Sequence, residues 1–370
     1  MIRRKPAFLK SVGDNENELQ PLPKPRGSWP FRLDIGEIAG TAKGDDFMEF
    51  HMVGDTGSLR HPEFQRHVAQ AMATQVSPGA GGRKASHFLF HLGDIVYDHG
   101  EAREYAAQFF EPYESYPGPV VALAGNHDGG INPLNATPYN SLDAYMAVFC
   151  DTHPRKVSFS GGSERLSMNQ PNVYWTFVTP LANFICLYGN TSKFGNIDDS
   201  QFEWLLHELR TLGKEKDDKA LFLCVHHAPY SADTNHGSSP NMINQLEFAF
   251  AATGVRPDVV CSGHVHNYQR YSRHYADGEV VRYLVSGAGG YADLHKIAAA
   301  GDGRVYEDPK LFEKVELENY CDERHGFLKM RLERSAEKLL LIGEYYTVSA
   351  GSNTEDMQPQ LFERFLFPLR

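Results

Sequence analysis

Five short segments of the chain carry residue types that commonly bind metal ions. Each places Asp, Asn, His or Tyr after a short apolar run and beside a glycine or proline. The segments are Gly54-Asp55-Thr56-Gly57, Gly93-Asp94-Ile95-Val96-Tyr97, Gly125-Asn126-His127-Asp128, His226-His227-Ala228-Pro229-Tyr230 and Gly263-His264-Val265-His266. Strand ends present ligands in this way, and glycine lets the backbone approach an ion closely. Five such segments together predict a metal-centred hydrolase.

The two Gly-Asp pairs supply the acidic groups. Asp55 and Asp94 each follow an apolar strand-like run. Carboxylate oxygens suit hard cations such as iron, manganese and magnesium, and they also bind zinc. A turn that caps the next helix is the alternative interpretation of a single Gly-Asp pair. Two such pairs, both after apolar runs, favour a metal site.

The Asn126-His127-Asp128 segment combines a ligand with a candidate proton donor. Asn126 offers a neutral carbonyl oxygen, which is useful where a further negative charge would over-neutralise the site. His127 is expected to point into the same cleft, with Asp128 fixing its ring and raising the pKa of the imidazolium. The alternative is a tight turn that tolerates asparagine in left-handed backbone.

Two pairs of histidines follow apolar strands. His264 and His266 come after Val259–Ser262. Histidines at i and i+2 face opposite ways on a regular strand, so they converge only where the strand has ended. Two surface loop histidines are the alternative interpretation. His226 and His227 end another strand, and the sequence does not decide which of them faces the cleft.

Tyr97 distinguishes between metals. It stands three residues after Asp94, within reach of the same ion. A phenolate ligand requires a strong Lewis acid to displace its proton, since the free pKa is about 10. Ferric iron meets that requirement and zinc does so poorly. A core tyrosine with its hydroxyl bonded to the backbone is the alternative.

The elements that must position these residues alternate along the chain. Candidate strands are Met48–Val53, Phe88–His91, Val120–Leu123, Tyr174–Val178, Phe184–Tyr188, Ala220–Val225, Val259–Ser262 and Val280–Ser286. Candidate helices are Pro62–Gln75, Glu101–Phe110, Ser141–Phe149, Ser200–Leu212 and Met242–Thr253, the fourth capped by Asp199 or Ser200. A turn at Pro180–Asn183 predicts a hairpin. The pattern therefore predicts an α/β (α+β mixed) fold with two packed mixed β-sheets flanked by helices.

The chain divides into two predicted parts. Residues 1–46 form an N-terminal extended arm with a proline-rich stretch, and residues 47–370 form the catalytic domain. The domain includes a C-terminal β-hairpin over 326–348, which turns at Ser335-Ala336-Glu337. The polar segment 299–325 is expected to be an irregular surface excursion.

The overall composition excludes several classes of protein. The chain has 370 residues, of which 41% are hydrophobic, and a formal net charge of −11. This charge argues against a general nucleic-acid binder or a membrane-surface binder. There is no continuous stretch of about 18 apolar residues and no apolar signal region, so a cytoplasmic location is expected. The five cysteines include no CxxC pair, which favours a reducing compartment.

These residues resemble the calcineurin-like metallophosphoesterases, and within them the purple acid phosphatase branch. Asp55-Thr56-Gly57 lacks the histidine of the common D-x-H pattern, and Tyr97 completes the GDxG…GDxxY pattern of that branch. The run from Gly263 to Arg270 is similar to the GHVHxYxR run of the same branch. The resemblance spans about residues 47–290. The arm is too short to be the N-terminal β-sandwich domain of the large plant-type members.

The resemblance implies a metallophosphoesterase-like sandwich with a dinuclear metal centre. One ion, Fe(III), would be held by Asp55, Asp94, Tyr97 and His266. The second, Fe(II), Zn or Mn, would be held by Asp94, Asn126, His226 and His264, so Asp94 bridges the two. Aligning Tyr230 with the H-x-P-x-Y pattern selects His226, and His227 remains the alternative.

The implied function is metal-dependent hydrolysis of phosphoric esters by a phosphomonoesterase, with a metal-bound hydroxide as nucleophile and a small phosphoester as partner. His127, held by Asp128, is the first candidate proton donor for the leaving group. His236, ten residues after His226, is the second and is comparable to a family loop histidine. A phosphodiesterase or nucleotide hydrolase on the same metals is the main alternative. A non-catalytic metal-binding scaffold and a redox role for the iron are further ones, and the sequence does not indicate an oligomeric state.

Overall fold

The strands of the protein form two large mixed sheets and one small sheet. The computed structural model describes residues 5–10, 19–39, 46–76, 86–335, 338–349 and 358–369. The strands are β1 (Phe8–Leu9), β2 (Arg32–Asp34), β3 (Phe47–Val53), β4 (Ser86–His91), β5 (Val120–Ala122), β6 (Trp175–Val178), β7 (Ala182–Leu187), β8 (Ala220–Val225), β9 (Val259–Ser262), β10 (Tyr268–His274), β11 (Val280–Ser286), β12 (Val305–Tyr306), β13 (Val315–Cys321), β14 (His325–Ser335), β15 (Lys338–Val348) and β16 (Gln360–Pro368).

The helices lie between these strands. They are α1 (Gly36–Ala39), α2 (Pro62–Gln75), α3 (Glu111–Tyr113), α4 (Asp143–Phe149), α5 (Asp199–Leu212), α6 (Pro240–Thr253) and α7 (Pro309–Phe312). A π-helical turn, Ala106–Phe110, runs directly into α3, so the helix predicted over Glu101–Phe110 starts and ends later than expected. Within the described ranges, no helix has the length and apolar character that crossing a bilayer requires.

The two large sheets have the mixed topology that the sequence predicts. The eight-stranded sheet has the order β13-β10-β11-β9-β8-β7-β6-β2, and the six-stranded sheet has the order β16-β15-β14-β3-β4-β5. Strands β7, β8 and β9 run parallel, as do β3, β4 and β5. Strands β6 and β7 form the hairpin predicted at Pro180–Asn183, and β14 and β15 form the predicted C-terminal hairpin. Ala336 and Glu337, at the tip of that hairpin, lie outside the described residues.

Aromatic side chains fill the space between the sheets. Phe50 of β3 packs edge-on against Phe184 of β7, with ring centroids 5.4 Å apart. Phe88 of β4 packs in the same way against Phe177 of β6 at 5.1 Å. Helices cover the sheets, since α2 packs on β14 and β15, and α5 packs on β7 and α6. The predicted sandwich of two sheets flanked by helices is therefore confirmed.

The ends of the long helices follow from their sequences. The Ser239 side chain caps α6 by accepting from the Met242 amide at 3.1 Å, and Pro240 fits the first turn, where no amide donor is needed. Asp198 caps α5 by accepting from the Gln201 amide at 2.8 Å. The predicted cap, Asp199 or Ser200, is therefore wrong by one or two positions, because Asp198 is the residue with extended backbone.

Several strands have no apolar run in the sequence. Strand β10 and strand β13 belong to the eight-stranded sheet, and β16 lies at the edge of the six-stranded sheet. The segment 299–325 was expected to be irregular, but it contains β12, α7 and β13. Strand β13 alternates buried and exposed residues over its first four positions, as an edge strand with one face in solvent does. Within the predicted arm, β2 pairs in parallel with β6.

Candidate metal centre

The ends of five strands meet at one edge of the sandwich. Asp55 and Asp94 follow β3 and β4, and His264 follows β9. These three residues have left-handed backbone, with φ of 57°, 53° and 67°. Non-glycine residues adopt this conformation rarely, and it is concentrated at functional sites. The backbone is bent so that these residues aim into a shared space.

Tyr97 lies between the two carboxylates. Its hydroxyl is 3.1 Å from Asp94 Oδ2 and 3.4 Å from Asp55 Oδ1. The same hydroxyl is 3.3 Å from His266 Nε2. All four side chains are buried. The four ligands predicted for the first ion are thus in mutual contact.

The predicted ligands of the second ion also lie together. Asn126 Oδ1 is 3.1 Å from His226 Nε2 and 3.0 Å from His264 Nδ1. His226 Nε2 is in turn 3.3 Å from Asp94 Oδ2. Asp94 therefore touches members of both predicted sets, which is the position that a bridging ligand requires.

Glycines allow this close approach. Gly93 has a φ of 94°, and a Cβ there would lie 2.6 Å from His226 Nδ1. A Cβ on Gly125 would lie 2.1 Å from Asp94 Oδ1. Because real Cβ atoms do not come this near to other atoms, side chains at these positions would displace the ligands.

The geometry distinguishes His226 from His227. The Nδ1 atom of His226 lies 2.8 Å from the Leu92 carbonyl, which fixes the ring so that Nε2 faces Asp94 and Asn126. The ring of His227 packs instead against Gly189 and Gly195. The His227 ring also lies 4.5 Å from that of His264, but His226 is the histidine of this pair whose Nε2 meets both Asp94 and Asn126.

The pKa shifts show that the buried charged groups of the site interact strongly with one another. Burial, followed by the proximity of Asp94, raises the pKa of Asp55 well above its ordinary value, although His226 opposes this. Burial alone would raise the pKa of Asp94, but attraction to His226 and His127 holds it below its ordinary value. Burial alone would lower the pKa of His226, but Asp94 raises it to about 9. Two neighbouring buried carboxylates thus depend on nearby positive charge.

The donor set fits metal ions. Burial lowers the pKa of His264 and of His266 well below ordinary values, so both rings are neutral, the form in which imidazole binds metals. The Nε2 atom of His264 is buried and has no hydrogen-bond partner within the described part of the chain. Burial and the two carboxylates raise the pKa of Tyr97 well above its ordinary value, so only a strong Lewis acid would displace its proton. Carboxylates, an amide oxygen, neutral imidazoles and a phenol together suit iron, zinc or manganese.

His127 and Asp128 do not form the predicted pair. The ring Nδ1 of His127 lies 2.6 Å from the Asp98 carbonyl oxygen. The Asp128 carboxylate is fully buried and accepts from the backbone amides of Gly125 at 2.8 Å and of Ile95 at 3.0 Å. The expectation that Asp128 holds the imidazole is wrong, because unpaired amides of the two ligand turns surround the carboxylate. Asp128 fixes those turns instead.

A cavity of about 500 Å³ opens over the site. Its lining includes Asp94, His127, His264 and His266. His236, the second predicted proton donor, also lines it, and its ring centroid is 4.1 Å from that of His264. Both candidate donors therefore border the same space as the predicted ligands.

Comparison with known proteins identifies the family. The family model described as calcineurin-like phosphoesterase matches residues 48–268, a range that contains every predicted ligand. The chain belongs to this family. The description of the family agrees with the resemblance that the motifs predict and supports the predicted class of hydrolase.

Curated relatives of this chain include plant purple acid phosphatases. Purple acid phosphatase 21 of Arabidopsis thaliana is 29% identical over 177 residues, which are 46% of this chain and 36% of the relative. Purple acid phosphatase 22 of the same plant is 25% identical over 187 residues, 50% of this chain and 38% of the relative. The chain therefore matches well under half the length of these relatives.

Solved structures share the fold of this chain. GAP50 of Plasmodium, described as the anchor in the inner membrane complex, superposes with a TM-score of 0.56 at 13% identity. That match covers 88% of this chain and 89% of GAP50. PhoD superposes with a TM-score of 0.52 at 13% identity over 89% of this chain and 71% of PhoD. At these identities the likeness concerns the fold alone.

Several residues around the site lie outside the predicted set of ligands and proton donors. His91 accepts from the Gly93 amide at 3.2 Å through Nδ1, and its Nε2 lies 2.9 Å from Thr56 Oγ1, so it ties the two Gly-Asp turns together. Tyr291 stacks on Tyr97 with ring centroids 4.3 Å apart. The Gly-rich run before Tyr291 was the only signal for a turn there. Asp233 and His295, which also border the site, belong to no motif.

Proposed function

We propose that this phosphoesterase is a metal-dependent phosphomonoesterase of the purple acid phosphatase type, with a dinuclear centre. The observation that carries the proposal is the contact of the Tyr97 hydroxyl with Asp55, Asp94 and His266, beside the cluster of Asp94, Asn126, His226 and His264. We assign Fe(III) to the first group, and Fe(II), Zn or Mn to the second. Residues 47–370 form the proposed catalytic domain.

The proposed ligands have different roles in binding the two ions. When bound, two such ions supply an activated water and positive charge against the phosphoryl oxygens. Asp94 would bridge the two ion positions, since its Oδ2 atom faces both Tyr97 and His226 while Oδ1 accepts from the His127 amide. Buried Asp55 and Tyr97 provide negative charge where a trivalent ion would bind. The neutral His264 and His266 add ligand atoms without adding charge.

The leaving group needs a proton, and His127 is placed to donate it. The Asp98 carbonyl holds ring Nδ1, so Nε2 is the atom left for the cavity. The backbone amide of His127 also donates to Asp94 Oδ1 at 2.9 Å. The backbone of His127, the proposed donor, therefore contacts Asp94, the carboxylate that would bridge the ions. His236 is the second candidate for this step.

Metal analysis combined with an ester panel tests the proposal. The purified chain is loaded with iron, zinc or manganese, its ion content is measured by mass spectrometry, and phosphate mono- and diesters are assayed. The proposal requires two ions per chain and higher kcat/KM on monoesters. Higher kcat/KM on diesters would favour the phosphodiesterase alternative. Two bound ions with no hydrolysis of any ester would favour a scaffold.

Tyr97→Phe is expected to remove the visible colour of the iron-loaded protein. A phenolate bound to Fe(III) gives a charge-transfer band in the visible spectrum, and Phe has no oxygen to bind. The variant lacks only one hydroxyl, so the fold should persist. Absorption spectra of iron-loaded wild type and variant, normalised to measured iron content, provide the comparison.

Tyr291→Phe is the matched control for the spectrum. Tyr291 stacks on Tyr97 and on His266, with centroids 4.3 Å and 4.6 Å away, but it is not a proposed ligand. Its variant should keep the band. A band that survives Tyr97→Phe, or that is lost with Tyr291→Phe instead, would contradict the assignment of Tyr97 as the iron ligand.

Removal of metal is expected to lower the thermal stability of the wild-type protein. Ions that bind the folded state stabilise it by about 2.7 kcal/mol per site at a concentration 100 times Kd. The buried carboxylates of Asp55 and Asp94 also lose the positive charge that offsets their mutual repulsion. Thermal melts with excess chelator and with excess metal should differ by several degrees. Identical melting temperatures in both conditions would argue against a metal site within the fold.

A further inference from the structure

A second group of histidines lies on the wall of the same cavity. One ligand atom from each of His236, His266 and His295 lies within 4.8 Å of the others. The ring centroid of His295 is 4.9 Å from that of His236 and 4.1 Å from that of His266. His266 belongs to the proposed ligand set. His295 comes from the loop after β11 and has no role in the mechanism above.

The buried carboxylate of Asp233 joins two loops of this wall. Its Oδ2 atom lies 3.1 Å from Nδ1 of His295. Its Oδ1 atom accepts from the amide of His236 at 3.0 Å and from the amide of Gly237 at 2.6 Å. Asp233 is fully buried, where a hydrogen bond to a charged group is strong. One side chain therefore positions both the His295 ring and the backbone that carries His236.

Because the His295 ring stacks on the His266 ring, His295 is not oriented to bind the ion that His266 would bind. The two rings lie 22° from parallel. The lone pair of an imidazole nitrogen lies in the plane of its ring, so nearly parallel stacked rings cannot direct their lone pairs at one nearby ion. With Nδ1 donating to Asp233, His295 turns Nε2 toward the cavity, and Nε2 donates to a ligand when the ring carries its second proton.

The cavity wall offers few other groups for a phosphate. None of the described residues that line it is an arginine. Arg270, which follows the GHVH segment closely, is paired with Glu363 at 2.5 Å and with Glu318 at 3.2 Å. The lining donors beyond the proposed ligands are Lys193, Asn235, Tyr291 and the rings of His127, His236 and His295. Imidazoles are therefore the most numerous donors for phosphoryl oxygens that do not face the ions.

We propose that His295, with Nδ1 donating to Asp233 and Nε2 donating to a non-bridging phosphoryl oxygen, favours phosphate monoesters. A monoester has three non-bridging oxygens, whereas a diester has an ester group in place of one of them. If each ion took one non-bridging oxygen, a monoester would still offer a third to His295 and a diester would not, so the contact would contribute more to a monoester. This inference rests on the proposed function, because it requires phosphate to bind beside the ions.

The test uses the metal-loaded full chain and the variants His295→Gln and Asp233→Asn. His274→Gln is the matched control, since His274 is exposed at the far end of β10. Affinity for inorganic phosphate is measured by calorimetry, and kcat and KM are measured on p-nitrophenyl phosphate and on its diester. Ion content is measured on every sample. His295→Gln is expected to weaken phosphate binding about 10-fold to 100-fold, as loss of a hydrogen bond to a charged group does.

Three results are expected together from His295→Gln. Ion content stays at the wild-type value, KM for the monoester rises more than kcat falls, and the diester is affected less than the monoester. Loss of an ion would overturn the proposal, because His295 would then be a ligand. Unchanged phosphate affinity would overturn it as well, and equal losses on both esters would remove the monoester preference.

Asp233 is a positioning residue in this proposal, and a double variant tests that role. If Asp233 acts through His295, the loss of phosphate affinity in the double variant should equal the larger single loss, whereas independent roles would give additive losses. If Asp233→Asn does not fold, His295→Gln alone decides the proposal. If wild type binds phosphate but hydrolyses neither ester, the proposed function fails while phosphate affinity still decides the role of His295.

Discussion

Asp94→Asn is expected to abolish hydrolysis of phosphate esters and to lower the ion content of the protein. Asp94 contacts Tyr97 at 3.1 Å and His226 at 3.3 Å through Oδ2, so one carboxylate serves both predicted ion positions. Asparagine has no negative charge, so its amide oxygen would bridge two cations only weakly. Metal ions contribute several kcal/mol of charge stabilisation, and each 1.36 kcal/mol is tenfold in rate. We expect kcat/KM to fall by about 10³-fold or more.

Asp198→Asn is the matched control for this charge change. Asp198 caps α5, and asparagine caps helices about as well as aspartate, so ion content and activity should match wild type. Ion content by mass spectrometry and kcat/KM on a monoester provide the measurements. An Asp94→Asn protein that keeps two ions and hydrolyses monoesters within tenfold of wild type would exclude the bridging role.

Several central strands, including those before His226 and His264, could be predicted because each has an apolar run followed by a turn. Ala220–Val225, Val259–Ser262 and Val280–Ser286 have the predicted bounds. These strands are buried in the middle of a sheet, and such strands have near-continuous apolar sequences. Strand β13 lies at an edge and alternates charged and apolar residues, so it was predicted to be irregular.

The positions of the proposed metal ligands are easier to predict than the contacts of the residues that hold those ligands in place. Asp55 and Asp94 lie where the motifs place them, because the Gly-Asp turn determines the backbone on either side. Asp128 follows His127 directly, yet its carboxylate turns to the amides of Ile95 and Gly125. The hydrogen-bond partners of a buried carboxylate depend on loops that are distant in sequence. They cannot be predicted from the residues next to it along the chain.

The pair of Asp233 and His295 illustrates the same limit. The two residues are separated by 62 positions along the chain, and their atoms approach to 3.1 Å only because the loop after β8 and the loop after β11 cover the same cavity. Neither residue follows a strand directly. A single sequence therefore contains no local pattern that marks them, whereas the metal ligands repeat one local pattern five times.

His127→Ala is expected to keep both ions and to lose about 10²-fold to 10⁴-fold in kcat on alkyl phosphate esters, the usual contribution of a general acid. An alkoxide leaving group needs a proton, and the His127 ring reaches the cavity with Nδ1 held by the Asp98 carbonyl. Alanine keeps the backbone amide that donates to Asp94, so the ligand turn should persist. The measurements are kcat on a series of esters and ion content.

The dependence on leaving group separates proton donation from a general loss of binding. A p-nitrophenolate leaving group needs little protonation, so His127→Ala should affect p-nitrophenyl phosphate far less than an alkyl ester. His153→Ala, which removes an exposed imidazole outside the site, should match wild type on both. Equal turnover of alkyl esters by His127→Ala and wild type would remove the role from His127. If His236→Ala then showed the leaving-group dependence, the proton would come from the loop after β8, because His236 is the other candidate donor on that wall.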